Sequence, residues 1–345
     1  MLPVAIDISD TLIRLVTLER RGRGLRMHVR ADIVVPDGYI VDGDIKQPAA
    51  VTELLQSLIN AADPKAKSVA VALPERHTFV KLISLPADNG QPLEQAVTTA
   101  LSQHIPYTPD EVYWDWSKTT RLNSLNQPQA LIGAAPKTTV DEYLHLFQSV
   151  GLRVDAAEIE SVAITRAMFG PQPPNDTRLV LDLGRTRSTI ILVDNGVVQM
   201  SSTLRYAGRE LNQFIADELH ITHEQAERAK TLFGLDPKRG KGVLRAVLAP
   251  HIDAIADAIA DVEAYFQEHF IDHRPITHVH CTGSGALIRG ISDELQKRLD
   301  QSVIVEPSWA FSTLLQKQPD LPAELGYTYT TVLGLALRPL FPSVA

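Results

Sequence analysis

Cysteine is almost absent from this 345-residue chain: Cys281 is the single one, so a disulfide framework and any multi-cysteine metal site are excluded. Uninterrupted apolar runs are missing too, and none approaches the roughly 18 residues of a membrane span. The first residues read as a strand rather than as a basic region followed by a long apolar one, and a cytosolic protein is expected. Positive charge is in deficit, with 33 Lys and Arg against 41 Asp and Glu for a net charge of −8. That balance argues against a general nucleic-acid binder, which needs a basic face. Arg338-Pro339-Leu340-Phe341-Pro342 carries two prolines and cannot form an amphipathic membrane helix, so no direct membrane insertion is expected. What the chain has in quantity is apolar residues, 44 % against 21 % charged, the composition of a globular protein. Its length exceeds one ordinary core and implies two lobes or more.

The strongest positive feature is a hairpin pattern that occurs twice. Val4-Ala5-Ile6 leads into Asp7-Ile8-Ser9-Asp10-Thr11, after which Leu12 to Leu18 resumes an apolar run. Leu179-Val180-Leu181 leads in the same way into Asp182-Leu183-Gly184-Arg185-Thr186-Arg187-Ser188-Thr189, then Ile190 to Val193. Each copy is a buried strand, a terminal carboxylate, a tight turn of small and hydroxyl residues, and a second strand. Phosphate oxygens need backbone N–H donors at close range, which a turn without bulk supplies. A carboxylate at the strand end can hold Mg²⁺ opposite them, usually through water. Either turn alone is also explained as a capped hairpin that binds nothing. The pair, with the later Thr282-Gly283-Ser284-Gly285-Ala286 turn, points to two related lobes around a nucleotide cleft.

Periodicity places strands at 3–8, 11–19, 25–34 and 68–73, with a helix at 48–61. From 78 to 155 the pattern changes to a compact α+β unit: strands at 79–85, 112–119 and 130–134, and helices at 91–104 and 138–150. Residues 1–77 with 156–169 form the expected first lobe, 78–155 an inserted module, and 170–345 a second lobe with a helical part at about 208–272. Helices at 158–169, 208–232, 243–269, 287–299 and 327–338 and strands at 278–281 and 303–305 complete the reading. Tyr113 and Trp114 lie on opposite faces of one strand, so one of them faces core.

The order of these pieces resembles the actin-like (ribonuclease H-like) ATPase superfamily and, within it, the PilM family of type IV pilus assembly proteins, relatives of FtsA. The resemblance runs through Val35-Pro36-Asp37-Gly38-Tyr39-Ile40-Val41-Asp42-Gly43-Asp44-Ile45, His104-Ile105-Pro106-Tyr107 with Glu111-Val112-Tyr113, Ala134-Ala135-Pro136-Lys137, Glu160-Ser161-Val162-Ala163 and the closing Gly334-Leu335-Ala336-Leu337-Arg338. It implies a two-lobed α/β fold with a small inserted module of SHS2 type. It also implies ATP and Mg²⁺ as ligands, and as partner the cytoplasmic N-terminal tail of PilN, a single-span inner-membrane protein, with other pilus platform or motor proteins beside it. The chain would then act as a scaffold on the cytoplasmic face of the inner membrane.

Carried over position by position, the resemblance makes Asp7 and Asp182 the cleft aspartates that hold Mg²⁺ and water. Ser9, Asp10 and Thr11 fall on the first phosphate loop, and Arg14 is the cation facing the phosphates. Gly184, Arg185, Thr186, Arg187 and Ser188 fall on the second loop, and Gly208 opens the helix after it. Glu160 takes the place of a water-orienting residue. Glu227 and Lys230 reach the ribose, and Gly283, Ser284 and Gly285 lie under the adenine. Three departures from the family pattern bear on turnover: Asp10 sets a negative charge beside the phosphates, Arg185 and Arg187 replace small residues, and Ser284 replaces a glycine. They imply a slow ATPase at most. A small-molecule kinase of the same superfamily, a polymerising actin homologue and a nucleotide-free scaffold remain as alternative readings.

Overall fold

A computed structural model describes residues 3–22, 24–85, 93–105, 107–108, 110–271 and 273–341. Arg23, residues 91–92, Pro106 and Pro342 lie outside the described residues. The first sheet begins with an antiparallel meander of β1 (Val4–Ile8), β2 (Leu12–Arg21) and β3 (Gly24–Val34). A short hairpin of β4 (Ile40–Val41) and β5 (Asp44–Ile45), then helix α1 (Pro48–Ala62), lead to β6 (Ser68–Leu73), which lies parallel to β1. Every residue of β1 is buried, as expected of a strand covered on both faces.

The chain leaves this sheet through a 3₁₀ turn at Glu75–His77 and builds β7 (Phe79–Ser84), α2 (Leu93–His104), β8 (Val112–Leu122) and β9 (Pro128–Pro136). It returns by α3 (Lys137–Ser149) to β10 (Arg153–Ile159), parallel to β6. The helix of 138–150, read from sequence as part of the inserted module, packs its Val140, Tyr143 and Phe147 into the first lobe's core with Val4, Ile6 and Val71. Its apolar stripe matches that sheet, so the helix and β10 act as the crossover completing a parallel pair with β6.

Helix α4 (Glu160–Phe169) then crosses to the second lobe. That lobe repeats the first: β11 (Thr177–Leu183), β12 (Ser188–Asp194) and β13 (Val197–Leu204) form a meander. Helices α5 (Gly208–Leu219), α6 (His223–Phe233) and α7 (Val243–His269) follow, then β14 (Ile276–Thr282), α8 (Ile291–Gln296) and β15 (Ser302–Val305). The strand orders β10-β6-β1-β2-β3 and β15-β14-β11-β12-β13 are one topology, with parallel and antiparallel pairs in matching places.

The expected helix at 208–232 is two helices, divided where His220 takes a left-handed φ of 53° and Thr222 opens α6 with a capping box. Residues 287–299 shorten to α8 because Gly290 at φ +80° interrupts them. The strand β13 and helix α9 (Trp309–Leu315) were not read from sequence. The final helix splits at Tyr329 into α10 (Leu325–Thr328) and α11 (Thr330–Leu337). Against α4, Gly334 of α11 packs so closely that a Cβ would run into the Ala163 carbonyl.

The three module strands are not a separate sheet. β7 pairs with β13 through Lys81 and Met200, so they extend the second lobe's sheet to eight strands. Lys81 Nζ donates to Tyr265 Oη on α7 at 3.1 Å and lies over the Phe270 ring. Val80, Leu82 and Leu131 of the module share a core with Ile164 and Met168 of α4 and Val180, Ile191 and Val198 of the second lobe.

Candidate nucleotide cleft

Both central strands, β1 and β11, deliver their last polar side chain to one place. Asp7 stands in register with Arg14 on β2, and Asp182 with Thr189 on β12. The turns between the paired residues Ile8–Ile13 and Leu183–Ser188 are residues 9–12 and 184–187, equivalent in the two lobes. Between them lies a cavity of about 480 Å³ whose walls include Asp7, Asp182, Glu160, Ser9, Thr11 and Arg14. Gly184 to Ser188, Gly208, Glu227, Lys230 and Gly283 to Gly285 complete the expected set around it. The structure therefore gathers every residue anticipated at the site except one.

Asp10 is the exception. Its carboxylate turns away from the cavity and accepts N–H bonds from Asp42 at 3.1 Å and Gly43 at 2.9 Å, holding the β4–β5 hairpin. A carboxylate with two backbone donors is satisfied where it is, and its oxygens are held by the hairpin amides. The partner amides lie more than thirty residues away in sequence, so no local signal announced them.

The small residues are small for steric reasons. A Cβ on Gly184 would collide with the Arg187 carbonyl oxygen, one on Gly283 (φ +81°) would lie 2.5 Å from Asp182 Oδ1, and one on Gly285 would lie 2.6 Å from Leu183 Cβ. The second turn is tied to α5 by Gly208 N–H to the Gly184 carbonyl (3.0 Å) and Arg209 N–H to the Arg185 carbonyl (2.8 Å). In the first turn the Ser9 hydroxyl donates to the Leu12 carbonyl at 2.9 Å.

Charge is arranged across the cleft. Arg14 pairs with Asp7 at 3.0 Å within the first lobe, and Arg187 of the second lobe reaches Glu160 at the start of α4 at 2.9 Å. Arg187 Nη1 is buried and has no hydrogen-bond partner among the described residues. Burial, opposed by Arg187 and reinforced by Asp7, pushes the Glu160 carboxyl up to about 7. Burial and the neighbouring Asp7 raise Asp182 to about 6. Burial draws Lys230 down to about 8 while its ammonium donates to the Gly208 carbonyl at 2.9 Å. Arg185 is exposed and faces Glu227 at 3.6 Å.

Sequence reasoning missed several cleft residues. Tyr329 donates to Asp32 at 2.6 Å, with the Arg14 and Arg30 guanidiniums 5.7 and 5.9 Å from its ring centre. These residues come from β2, β3 and the α10–α11 junction, and only the fold unites them. Asn212 on α5 also lines the cavity. Its one sequence signal is a polar residue inside the buried stripe Leu211, Ile215 and Ala216.

Two lobes of one topology, with duplicated acidic hairpins and a glycine turn around a shared cleft, define an actin-like ATPase fold. Among solved structures, MreB5 of Spiroplasma citri bound to AMPPNP is similar with a TM-score of 0.55 at 12 % identity, over 97 % of this chain and 95 % of that one. Ethanolamine utilization protein EutJ from Carboxydothermus hydrogenoformans aligns with a TM-score of 0.55 and 17 % identity, over 98 % and 89 %. A PilM–PilN type IV pilus biogenesis complex gives a TM-score of 0.81 at 21 % identity, covering 98 % of both chains. Residues 5–340 match the type IV pilus assembly protein PilM family, and the chain belongs to that family. Among the described residues no helix is long and apolar enough to cross a membrane.

Proposed function

We propose that the chain is a nucleotide-binding scaffold of the type IV pilus inner-membrane platform, which takes ATP with Mg²⁺ in its cleft and holds the cytoplasmic tail of a PilN-like membrane protein. The observation that carries the nucleotide reading is the convergence of Asp7 and Asp182, one from each lobe, on a cavity lined by Gly184, Gly283 and Gly285. The residues present fit such a ligand. Arg14, Arg187 and Lys230 stand around the cavity with the two aspartates, and Arg187 Nη1 is a buried cationic donor without an acceptor among the described residues. Two carboxylates with phosphate and water oxygens are an ordinary Mg²⁺ environment. When bound, the metal would neutralise charge on the β- and γ-phosphates. Asp7 and Asp182 would hold it, Ser9, Thr11 and the 184–187 turn would cradle the phosphates, and Glu227 and Lys230 would face the ribose.

The partner reading is supported by family membership and by full-length similarity to a protein solved as a PilM–PilN complex. Such a partner would keep the scaffold at the cytoplasmic face of the inner membrane. Isothermal titration with Mg-ATP and Mg-ADP tests the cleft, with binding expected for the wild type and lost in Asp182→Asn. A peptide of the partner's cytoplasmic tail, titrated into the purified chain, tests the scaffold role. No heat and no co-elution would sink it.

A further inference from the structure

We infer that the ion pair between Asp37 and Arg209 is a latch across the rim of the cleft that slows the release of its nucleotide. The inference rests on the nucleotide reading above and adds to it a control on exchange. Arg209 Nη2 of the second lobe donates to Asp37 Oδ2 of the first at 3.2 Å. Each side chain is carried by backbone that is tied directly to one of the two phosphate turns. Two residues before Asp37, Val35 donates its N–H to the Thr11 carbonyl of the first turn at 2.9 Å. Asp37 itself stands at the corner of a tight turn, in which Tyr39 N–H returns to the Pro36 carbonyl at 3.2 Å and Gly38 takes a φ of +82°. Arg209 is the second residue of α5, and its own N–H donates to the Arg185 carbonyl of the second turn at 2.8 Å. The pair therefore joins the two turns through two short arms, one from each lobe. Thr11, Arg185 and Gly208, to which those arms are fixed, all line the cavity.

Arg187 with Glu160 is also a cation–carboxylate contact at the cleft, and the two differ in burial. The Arg187 and Glu160 side chains are 12 % and 13 % exposed, at the start of α4 where the chain passes from one lobe to the other. Those of Arg209 and Asp37 are 52 % and 76 % exposed. Parting a buried pair strands a charge, whereas parting an exposed one returns both charges to water at little cost. The exposed contact can thus open while both lobes stay folded. Release of a nucleotide gripped by both turns requires the turns to separate, and separating them breaks this contact. A pair of this exposure changes a rate by a small factor and cannot lock the cleft, as a contact made and broken at every exchange requires.

The test follows release of N-methylanthraniloyl-ADP from the full chain with Mg²⁺ present, chased by excess unlabelled ADP in stopped flow. The proteins are the wild type, Asp37→Ala, Arg209→Ala, the double variant, and the charge swap of Asp37→Arg with Arg209→Asp. Thermal unfolding of each free protein is the folding control, and midpoints near the wild type are expected because both side chains lie on the surface. At low ionic strength each single variant should release the label about two- to fivefold faster than the wild type. The double variant should be no faster than either single one, and the swap should return most of the way to the wild-type rate. In about 1 M salt, where the screening length falls to about 3 Å, the ratio between wild type and variants should fall to about one. Where an alanine variant fails to fold, Asp37→Asn or Arg209→Gln takes its place with the same expected direction. Unchanged release in the single variants, or effects that multiply in the double one, overturns the latch and leaves the cleft reading standing. No binding of the labelled ADP by the wild type takes down both.

Discussion

The turns at residues 9–12 and 184–187 hold the same place in the two lobes and are built by different means. In the first, a side chain closes the loop: the Ser9 hydroxyl bonds the Leu12 carbonyl and receives the Leu12 N–H. In the second, the absence of a side chain does it, since Gly184 lets the Arg187 carbonyl come where a Cβ would sit. The second residue of each turn also differs. Asp10 points inward to brace the β4–β5 hairpin of its own lobe, while Arg185 points outward to Glu227. The fourth residue is apolar Leu12 in one lobe and Arg187, which grips Glu160 across the cleft, in the other. Duplication has kept the backbone and divided the tasks: the first turn stabilises its own lobe, and the second connects lobes.

Arg187→Met is the severest test of that division. It strands the Glu160 carboxylate beside α4, and a loss of about 3–4 kcal/mol in denaturant unfolding is expected. An unchanged midpoint would show that the pair does not join the lobes. Gly184→Ala should cost about 2–3 kcal/mol and abolish nucleotide binding, whereas Ser9→Ala should cost about 1 kcal/mol and weaken binding only modestly. Equal effects would erase the contrast between the turns.

The cleft carboxylates give the next effect. Asp182 and Glu160 titrate at about 6 and about 7 in the folded chain, above their ordinary values of 3.8 and 4.5. Their protonated forms are thus favoured by folding, and their contribution falls as pH rises from about 4 to about 7, by on the order of 3 kcal/mol for each group. Asp182→Asn should flatten that slope in thermal unfolding scans of the free protein. A variant with the wild-type slope would locate the titration elsewhere. Asp10→Asn keeps one acceptor for the hairpin amides and should cost about 1 kcal/mol with nucleotide affinity unchanged. A large affinity gain would return the Asp10 charge to the phosphates. Arg185→Ala, breaking an exposed pair, should move stability by less than about 0.5 kcal/mol.

What could be read from sequence is what depends on short spacing. The acidic hairpins, their turns and the glycine turn at 283–285 are local patterns, and their repetition in order implied that Asp7 and Asp182 would meet. The orientation of Asp10 was not legible, because its partners are backbone amides of a distant hairpin. The sheet on which α3 packs was equally hidden: Val140, Tyr143 and Phe147 fit any apolar surface, and only the pairing of β10 with β6 chooses one. Asp32, Arg30 and Tyr329 entered the cleft unannounced because strand register, not spacing, brings them to it.

The ladder pair Lys81 with Met200, the Lys81–Tyr265 hydrogen bond and the core shared by Val80, Leu82 and Leu131 with Val180, Ile191 and Val198 fasten the β7–β9 strands to the second lobe, while both ends of that excursion are rooted in the first. Its doorway is pinned as well: Glu75 accepts from Ser161 at the head of α4 and from Ser201 on β13. Moving one half of the protein against the other would have to slide β7 along β13 or break the Glu75 contacts, so the excursion ties the two lobes to each other.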